Sequence, residues 1–261
     1  MAGPRRRADS AERDGHHARP CRGRRDAAAG DVVSAPRSGG NALAPGLTLA
    51  LDASTYVGTV AVLRDGVVVA AREALMRGEH EERLMPAVLA ALADVGAVPR
   101  DVARVVCGAG PGSFTSLRIA AGIAKGVAHG ANVPLYAVSS LALVVAGAGP
   151  ALSPGRYIAA LDAMRGERYA QTVMVYDDGR VEANGPSALA TAEQLAAERC
   201  RVVGPLEGDA HAPHARGVAA LLDACIADGP VDLDAWEPSY GRLAEAQVRW
   251  EAAHGRSLAS G

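Results

Sequence analysis

Two segments of the chain carry side chains whose types and spacing could do chemistry. The first is Asp52 with Ser54 and Thr55 close behind it. A carboxylate and two hydroxyls just past an apolar run make a set that can hold a divalent cation and a phosphate. The second is the loop Gly110-Pro111-Gly112-Ser113, followed by Thr115. Loops of this composition point backbone N–H groups at an anion, and a helix starting beyond them adds partial positive charge. Two readings of the loop stay open. It is a phosphate or carboxylate cradle with Ser113 and Thr115 as extra donors, or a tight turn with Thr115 or Ser116 as helix cap. It is not a Walker A loop, because no Gly-Lys-Ser/Thr follows, and it lacks the third glycine of a dinucleotide fingerprint.

Other chemistry is weakly represented. His80 is followed four residues later by Leu84, whereas a helical metal site normally has a second ligand there. His211 and His214 flank Pro213 in a predicted loop and have no ligand set around them. The four cysteines, Cys21, Cys107, Cys200 and Cys225, have no C-x-x-C spacing, which removes zinc knuckles and thioredoxin-like chemistry and favours a reducing compartment. No Gly-x-Ser-x-Gly elbow is present. Aromatic residues make up only 3% of the chain, too few for a base-stacking platform.

The elements that must position these residues are legible from residue 47 onward. The run 47–53 (LTLALDA) is continuously apolar, as a buried strand is. Strands over 59–63 and 67–71 follow, joined by Asp65-Gly66, a strong hairpin signal in which both central residues need positive φ. A helix over 79–95 has Leu84, Val88, Leu92 and Val95 along one stripe and Gly96 as its stop. Then come a strand at 104–108, the glycine loop, a helix over 116–129, a strand at 135–138 and a third helix capped by Ser139 or Ser140. In the second helix Gly122, Gly126 and Gly130 recur every four residues on one face. Each costs about 1 kcal/mol relative to Ala, so the stripe predicts another backbone in close approach, from inside the chain or from another one.

The pattern then restarts. Ala50-Leu51-Asp52-Ala53 recurs as Ala160-Leu161-Asp162-Ala163, and each copy leads into a β run, an Asp-Gly turn and a further strand. A helix over 192–199, a strand at 201–203 and a helix over 215–227 complete the second half. Two such halves predict a two-lobed α/β fold of the actin/Hsp70 kind, with duplicated βββαβα lobes over 47–150 and 151–261. In that fold Asp52 occupies the place of a Mg²⁺-binding carboxylate, and Asp162 is its counterpart. The second copy continues Met164-Arg165-Gly166-Glu167, however, which is not a phosphate hairpin. Residues 1–45 carry nine Arg against five acids, leaving 18 basic against 24 acidic residues in the remainder. With almost no apolar periodicity, residues 1–46 are expected to be a disordered, Arg-rich extension. No apolar run is long enough to predict a membrane span.

The segments 49–55 (LALDAST), 80–86 (HEERLMP), 110–118 (GPGSFTSLR), 123–130 (IAKGVAHG), 138–141 (VSSL), 160–169 (ALDAMRGERY) and 237–242 (EPSYGR) occur in family order. Together they resemble the TsaB family, the smaller actin-like subunits of the bacterial machinery that makes N6-threonylcarbamoyladenosine in tRNA. The resemblance implies a non-catalytic, cytoplasmic subunit of Gcp-like fold. It would pair with TsaD, the catalytic paralogue that transfers the threonylcarbamoyl group to a tRNA adenosine. TsaE, a small ATPase, would join them, and tRNA would be reached through the complex. TsaD-like chains keep H-x-x-x-H on their first helix, and here Leu84 replaces the second His. Family members dimerise through their first two helices, so His80, Leu84, Val88, Arg118, Gly122, Gly126 and Gly130 are the expected partner contacts. Asp52, Ser54, Thr55, Gly110, Gly112, Ser113 and Thr115 are the candidate nucleotide or anion set. Ser116 stands where the family commonly has Gly. No cofactor is expected for the chain alone; ATP or ADP with Mg²⁺ at the seam, and a homodimer of the free chain, stay open. Two other readings compete: a stand-alone actin-like ATPase or small-molecule kinase, and a metallopeptidase.

Overall fold

The computed structural model describes residues 46–76, 82–241 and 254. The Arg-rich stretch 1–45 and His80, with the expectations attached to them, lie outside the described residues. The apolar run at the start forms β1 (Leu47–Asp52), and its lack of alternation has a simple cause: β1 is the middle strand of a five-stranded sheet and is covered on both faces. β2 (Val57–Arg64) and β3 (Val67–Leu75) fold back antiparallel on one side of it. Asp65 and Gly66 take φ of 51° and 82°, as a two-residue hairpin turn requires. β4 (Val102–Gly108) and β5 (Leu135–Val138) extend the sheet on the other side, parallel to β1, in the order β3-β2-β1-β4-β5.

One face of this sheet is covered by α1 (Leu84–Ala93) and α2 (Phe114–Ala131). Leu84, Val88 and Leu92 from α1 and Ala120, Ala124 and Ala128 from α2 are fully buried there. The small residues of α2 are what let its axis lie close to the strands. The opposite face belongs to α3 (Ser140–Ala148), buried from Ser140 to Gly147 and begun by Ser139, whose hydroxyl accepts from Ala142 N. α3 has no polar face because it lies between two sheets. Each fully buried leucine contributes about 2 kcal/mol, and Leu141 and Leu143 both sit in this shared core.

The second sheet repeats the plan of the first. β6 (Gly155–Asp162), β7 (Glu167–Val175) and β8 (Val181–Thr191) form an antiparallel meander, and β9 (Arg201–Val203) pairs parallel to β6, giving β8-β7-β6-β9. α4 (Ala192–Ala197) precedes β9, and α5 (Val218–Asp228) follows it. The result is a two-lobed actin-like α/β fold. Several local boundaries differ from expectation: the described part of the helix read over 79–95 runs Leu84–Ala93, and 215–217 form a 3-10 turn ahead of α5. α2 begins at Phe114 rather than Ser116, and the residue before it, Ser113, makes no cap bond but shares a hydrogen bond with Ser116 Oγ at 3.0 Å. The second Asp-Gly turn places only Gly179 at positive φ, because a three-residue loop, 177–179, closes Tyr176 onto Arg180 there. Among the described residues no helix is long and apolar enough to cross a membrane.

The lobes are joined at a tight seam beside α3. Ala215 N donates to Thr59 Oγ1 at 2.9 Å, and Arg216 Nε donates to the Gly147 carbonyl at 2.9 Å. His214 lies inside this joint: its Nδ1 accepts from Arg216 N at 3.0 Å, and its Nε2 stands 3.6 Å from Glu73 on β3. Burial, reinforced by the Arg216 charge and opposed by Glu73, holds the imidazole below its ordinary pKa of 6.5. A base that titrates lower in the fold than in the unfolded chain gives stability that is complete above 6.5 and is lost as pH falls. Denaturant titrations between pH 7.5 and 5 should therefore show stability declining toward acid, with a shallower decline in His214→Asn.

Candidate functional site

The carboxyl ends of β1 and β4 and the start of α3 converge on one side chain. Asp52 ends β1 with no exposed surface. Its Oδ1 accepts from Ser54 N at 3.0 Å and from Ser54 Oγ at 2.8 Å, and its Oδ2 accepts from Ser140 Oγ at 2.5 Å. Ser140 Oγ in turn accepts from Gly110 N at 3.0 Å, while Ser140 N donates to the Gly110 carbonyl at 3.0 Å. Desolvation pushes the Asp52 pKa up, against the downward pull of the Ser140 and Ser54 hydrogen bonds. The same burial, with the Asp52 charge, pushes the Cys107 thiol up as well.

The glycines of the loop are taken up by the chain's own atoms. A Cβ at Gly108 would lie 1.9 Å from Asp52 Oδ2, at Gly110 2.1 Å from the Ser239 carbonyl oxygen, and at Gly112 2.1 Å from the Ser54 carbonyl oxygen. Ser113 N donates to that Ser54 carbonyl at 2.8 Å. Asp52, Ser54, Gly110, Gly112 and Ser113 thus lie together, and hydrogen bonds run among them and to Ser140 and Ser116. Thr55 turns its hydroxyl to the Val57 carbonyl at 3.1 Å, and Thr115 is exposed on the first turn of α2. Ser140, which the sequence offers only as a helix cap, is the missing member of the set. Its role depends on β5 ending beside β4, and no local pattern announces that.

The second-lobe counterpart sits in a different environment. Asp162 is exposed, accepting from Met164 N at 2.9 Å and lying 3.8 Å from Arg168. The β6–β7 turn holds Met164 and Arg165 at φ of 64° and 57°, with the Met164 side chain in solvent. Among the described residues no three His, Cys, Asp or Glu side chains gather as a metal site.

A second feature is a surface. Gly122, Gly126 and Gly130 face outward from α2, and a Cβ at any of them would meet nothing within 4 Å. Of the two sources for a close-lying backbone, the chain's own described residues provide none. Gly126 and Gly130 instead line an open groove of about 370 Å³ with Met85, Ile123, Val127 and Arg100. Leu84 and Val88, read from sequence as contact residues, have no exposed surface, because their stripe seals α1 onto the sheet. What α1 offers outward is Met85 and Leu89. Arg118, at the N-terminal end of α2, stacks on Phe114 with 4.3 Å to the ring centroid, and its Nε donates to the Tyr240 hydroxyl at 3.2 Å. Sequence reasoning missed Phe114 and Tyr240 as parts of this patch. The only Phe in the chain at a helix start was the available signal.

The family model described as TsaD, tRNA N6-adenosine threonylcarbamoyltransferase, matches residues 74–211. The tRNA threonylcarbamoyladenosine biosynthesis protein TsaB of Bacillus subtilis is 30% identical over 229 residues, covering 77% of this chain and 96% of that protein. TsaB of Escherichia coli is 41% identical over 121 residues, 46% of this chain, and the match spans about half (52%) of that protein's length. The solved structure of YeaZ from Pseudomonas aeruginosa superposes with a TM-score of 0.62 at 28% identity, covering 75% of this chain and 99% of that one.

The Asp52 cluster yields its own test. Asp52→Ala would strand three buried donors and should lower stability by about 3 kcal/mol in denaturant titrations. Because the folded carboxyl titrates above 3.8, its favourable contribution is greatest in acid and fades as pH rises through the folded value. The stability difference between the native chain and Asp52→Asn should accordingly shrink from pH 4.5 to 7.5.

Proposed function

Because this chain belongs to the TsaB family of tRNA threonylcarbamoyladenosine biosynthesis proteins, we propose that it acts there as a docking subunit for a TsaD-type catalytic partner. The observation that carries this reading is the open glycine face of α2. Three glycines in one helix cost about 1 kcal/mol each, and nothing in the chain's own described packing offsets them. A face of that kind lets a second helix approach more closely than the usual 8–10 Å between axes, and the groove beside Gly126 and Gly130 admits a side chain from it. Met85 and Leu89 on α1 and the stacked Arg118 border the same side, supplying the apolar and cationic contacts that tight interfaces favour. A homodimer through the same face is the natural state when the partner is absent.

In this reading the chain supplies contact and orientation, and the partner supplies the transfer chemistry. tRNA and a TsaE-type ATPase are engaged by the assembly. The nucleotide that actin-like folds hold does not fit the described Asp52 end of this chain: the carboxylate has no exposed surface, and Ser239 fills the space at Gly110. Any ATP or ADP with Mg²⁺ would then be held at the seam of the assembled complex.

Gly126→Leu separates docking from folding. It adds bulk where the free chain has open space and replaces a poor helix former with a good one. The variant should melt at or above the temperature of the native chain yet fail to co-purify with a TsaD-type partner. Normal co-purification would remove the glycine face from the interface. Depleting the protein in cells should lower threonylcarbamoyladenosine in bulk tRNA, measured by mass spectrometry.

A further inference from the structure

After α5 the chain leaves the second lobe and runs back over the first. Residues 229–241 form a strap with little regular structure that follows α2 toward its N-terminus. Val231 N donates to the Leu135 carbonyl at 2.8 Å, and Val231, Leu233 and Trp236 pack on the α1–α2 side of the first sheet. The Trp236 ring stands 6.0 Å from Lys125 in the middle of α2. At the far end Ser239 N donates to the Ala109 carbonyl at 2.7 Å. The Tyr240 ring lies 4.5 Å from that of Phe114, and its hydroxyl takes the Arg118 hydrogen bond.

Tyr240 also reaches the other lobe. Its carbonyl accepts from the hydroxyl of Tyr169 on β7 at 3.2 Å. Gly241, at φ 71°, fits so closely that a Cβ would come within 2.4 Å of the Tyr169 ring and 2.8 Å of Pro111. One residue thus grips the first turns of α2 with its side chain and the second sheet with its backbone.

We infer that the strap is an interlobe coupling element, with Tyr240 as its positioning residue. It ties the N-terminal turns of α2, and hence the open face that helix presents, to the orientation of the second lobe. A shift of the second sheet pulls on Tyr169, Tyr240 and Arg118 in turn, and a partner seated on α2 biases the lobes by the same amount. Segments with few backbone bonds and little regular structure are the ones that open at low cost, which suits a strap to this use. The partner half of the inference rests on the docking reading; the coupling half rests on the strap contacts alone.

Hydrogen exchange across α2 and titration with a TsaD-type partner test the two halves, both on the full chain. Tyr169→Phe deletes one hydroxyl on the second sheet. It should speed exchange at residues 117–122 about three- to tenfold, leave the C-terminal turns of α2 unchanged and weaken partner binding by a similar factor. Tyr240→Phe, which keeps the ring on Phe114, should act to a similar extent, and Tyr240→Ala more strongly. If Tyr240→Ala does not fold, the two Phe variants carry the test. Unaltered exchange at 117–122 in both Phe variants overturns the coupling. Faster exchange with unaltered partner affinity overturns it too, leaving the strap a mere clasp. If the native chain does not bind the partner at all, the docking reading fails, and the exchange result alone decides the coupling.

Discussion

A carboxylate removed wholly from water has to be satisfied by the chain that buries it, and the architecture at the strand ends of the first lobe follows from that requirement. An unpaired buried charge costs several kcal/mol, so the position of Asp52 dictates what surrounds it. Ser54 answers from the same turn with two donors, and Ser140 answers from the start of α3. Residue 108 has to be glycine, since a Cβ would overlap the carboxylate. Ser140 is itself fixed by exchanging two hydrogen bonds with Gly110, which locks the glycine loop to α3. Three elements far apart in sequence are registered by one side chain. A loop with the composition of an anion cradle directs its donors inward as a result.

The second organising constraint acts on α2, which is small on two sides for two different reasons. Ala120, Ala124 and Ala128 let it close onto the strands, and their burial accounts for them within the chain. Gly122, Gly126 and Gly130 have no such account, because the space beyond them is open. A helix that tolerates three glycines on a solvent face is less stable than it need be, and no contact among the described residues offsets that cost. The strap contributes on the remaining side through Trp236 and Tyr240, so the helix is held on two flanks and free on the third.

Much of this was legible in the sequence wherever local pattern and tertiary demand coincide. The unbroken apolar run of β1, the Asp65-Gly66 hairpin and the recurrence of Ala-Leu-Asp-Ala defined both sheets, because burial on two faces and positive φ leave direct traces in residue type. The glycine stripe was legible as one face of a helix because spacing alone places it on one side. What escaped was whatever depends on the path of the chain in space. Asp52 reads like a metal-binding carboxylate until α3 is seen to close over it. Leu84 and Val88 read equally well as core or interface, since a single apolar stripe cannot say which neighbour it meets. The strap has no periodicity, and its anchors, Tyr169 and Tyr240, are 71 residues apart.

The two copies of the repeated segment make the last point. A phosphate chain held between two lobes needs matched polar hairpins facing each other across the cleft. Here the same four residues end in opposite surroundings: Asp52 is sealed beneath α3, while Asp162 is in solvent beside Arg168. After Asp52 come hydroxyl residues whose bonds turn inward. After Asp162 comes a turn with two left-handed residues and an exposed methionine. Non-glycine residues in the left-handed region carry strain of order 1 kcal/mol each, and hairpins shaped for a phosphate do not resemble this tip. The symmetry of the backbone has outlasted the symmetry of the chemistry. The features with no internal purpose left to explain them lie on the outer helix, which is why a reading centred on docking uses more of what the chain has kept than one centred on the cleft.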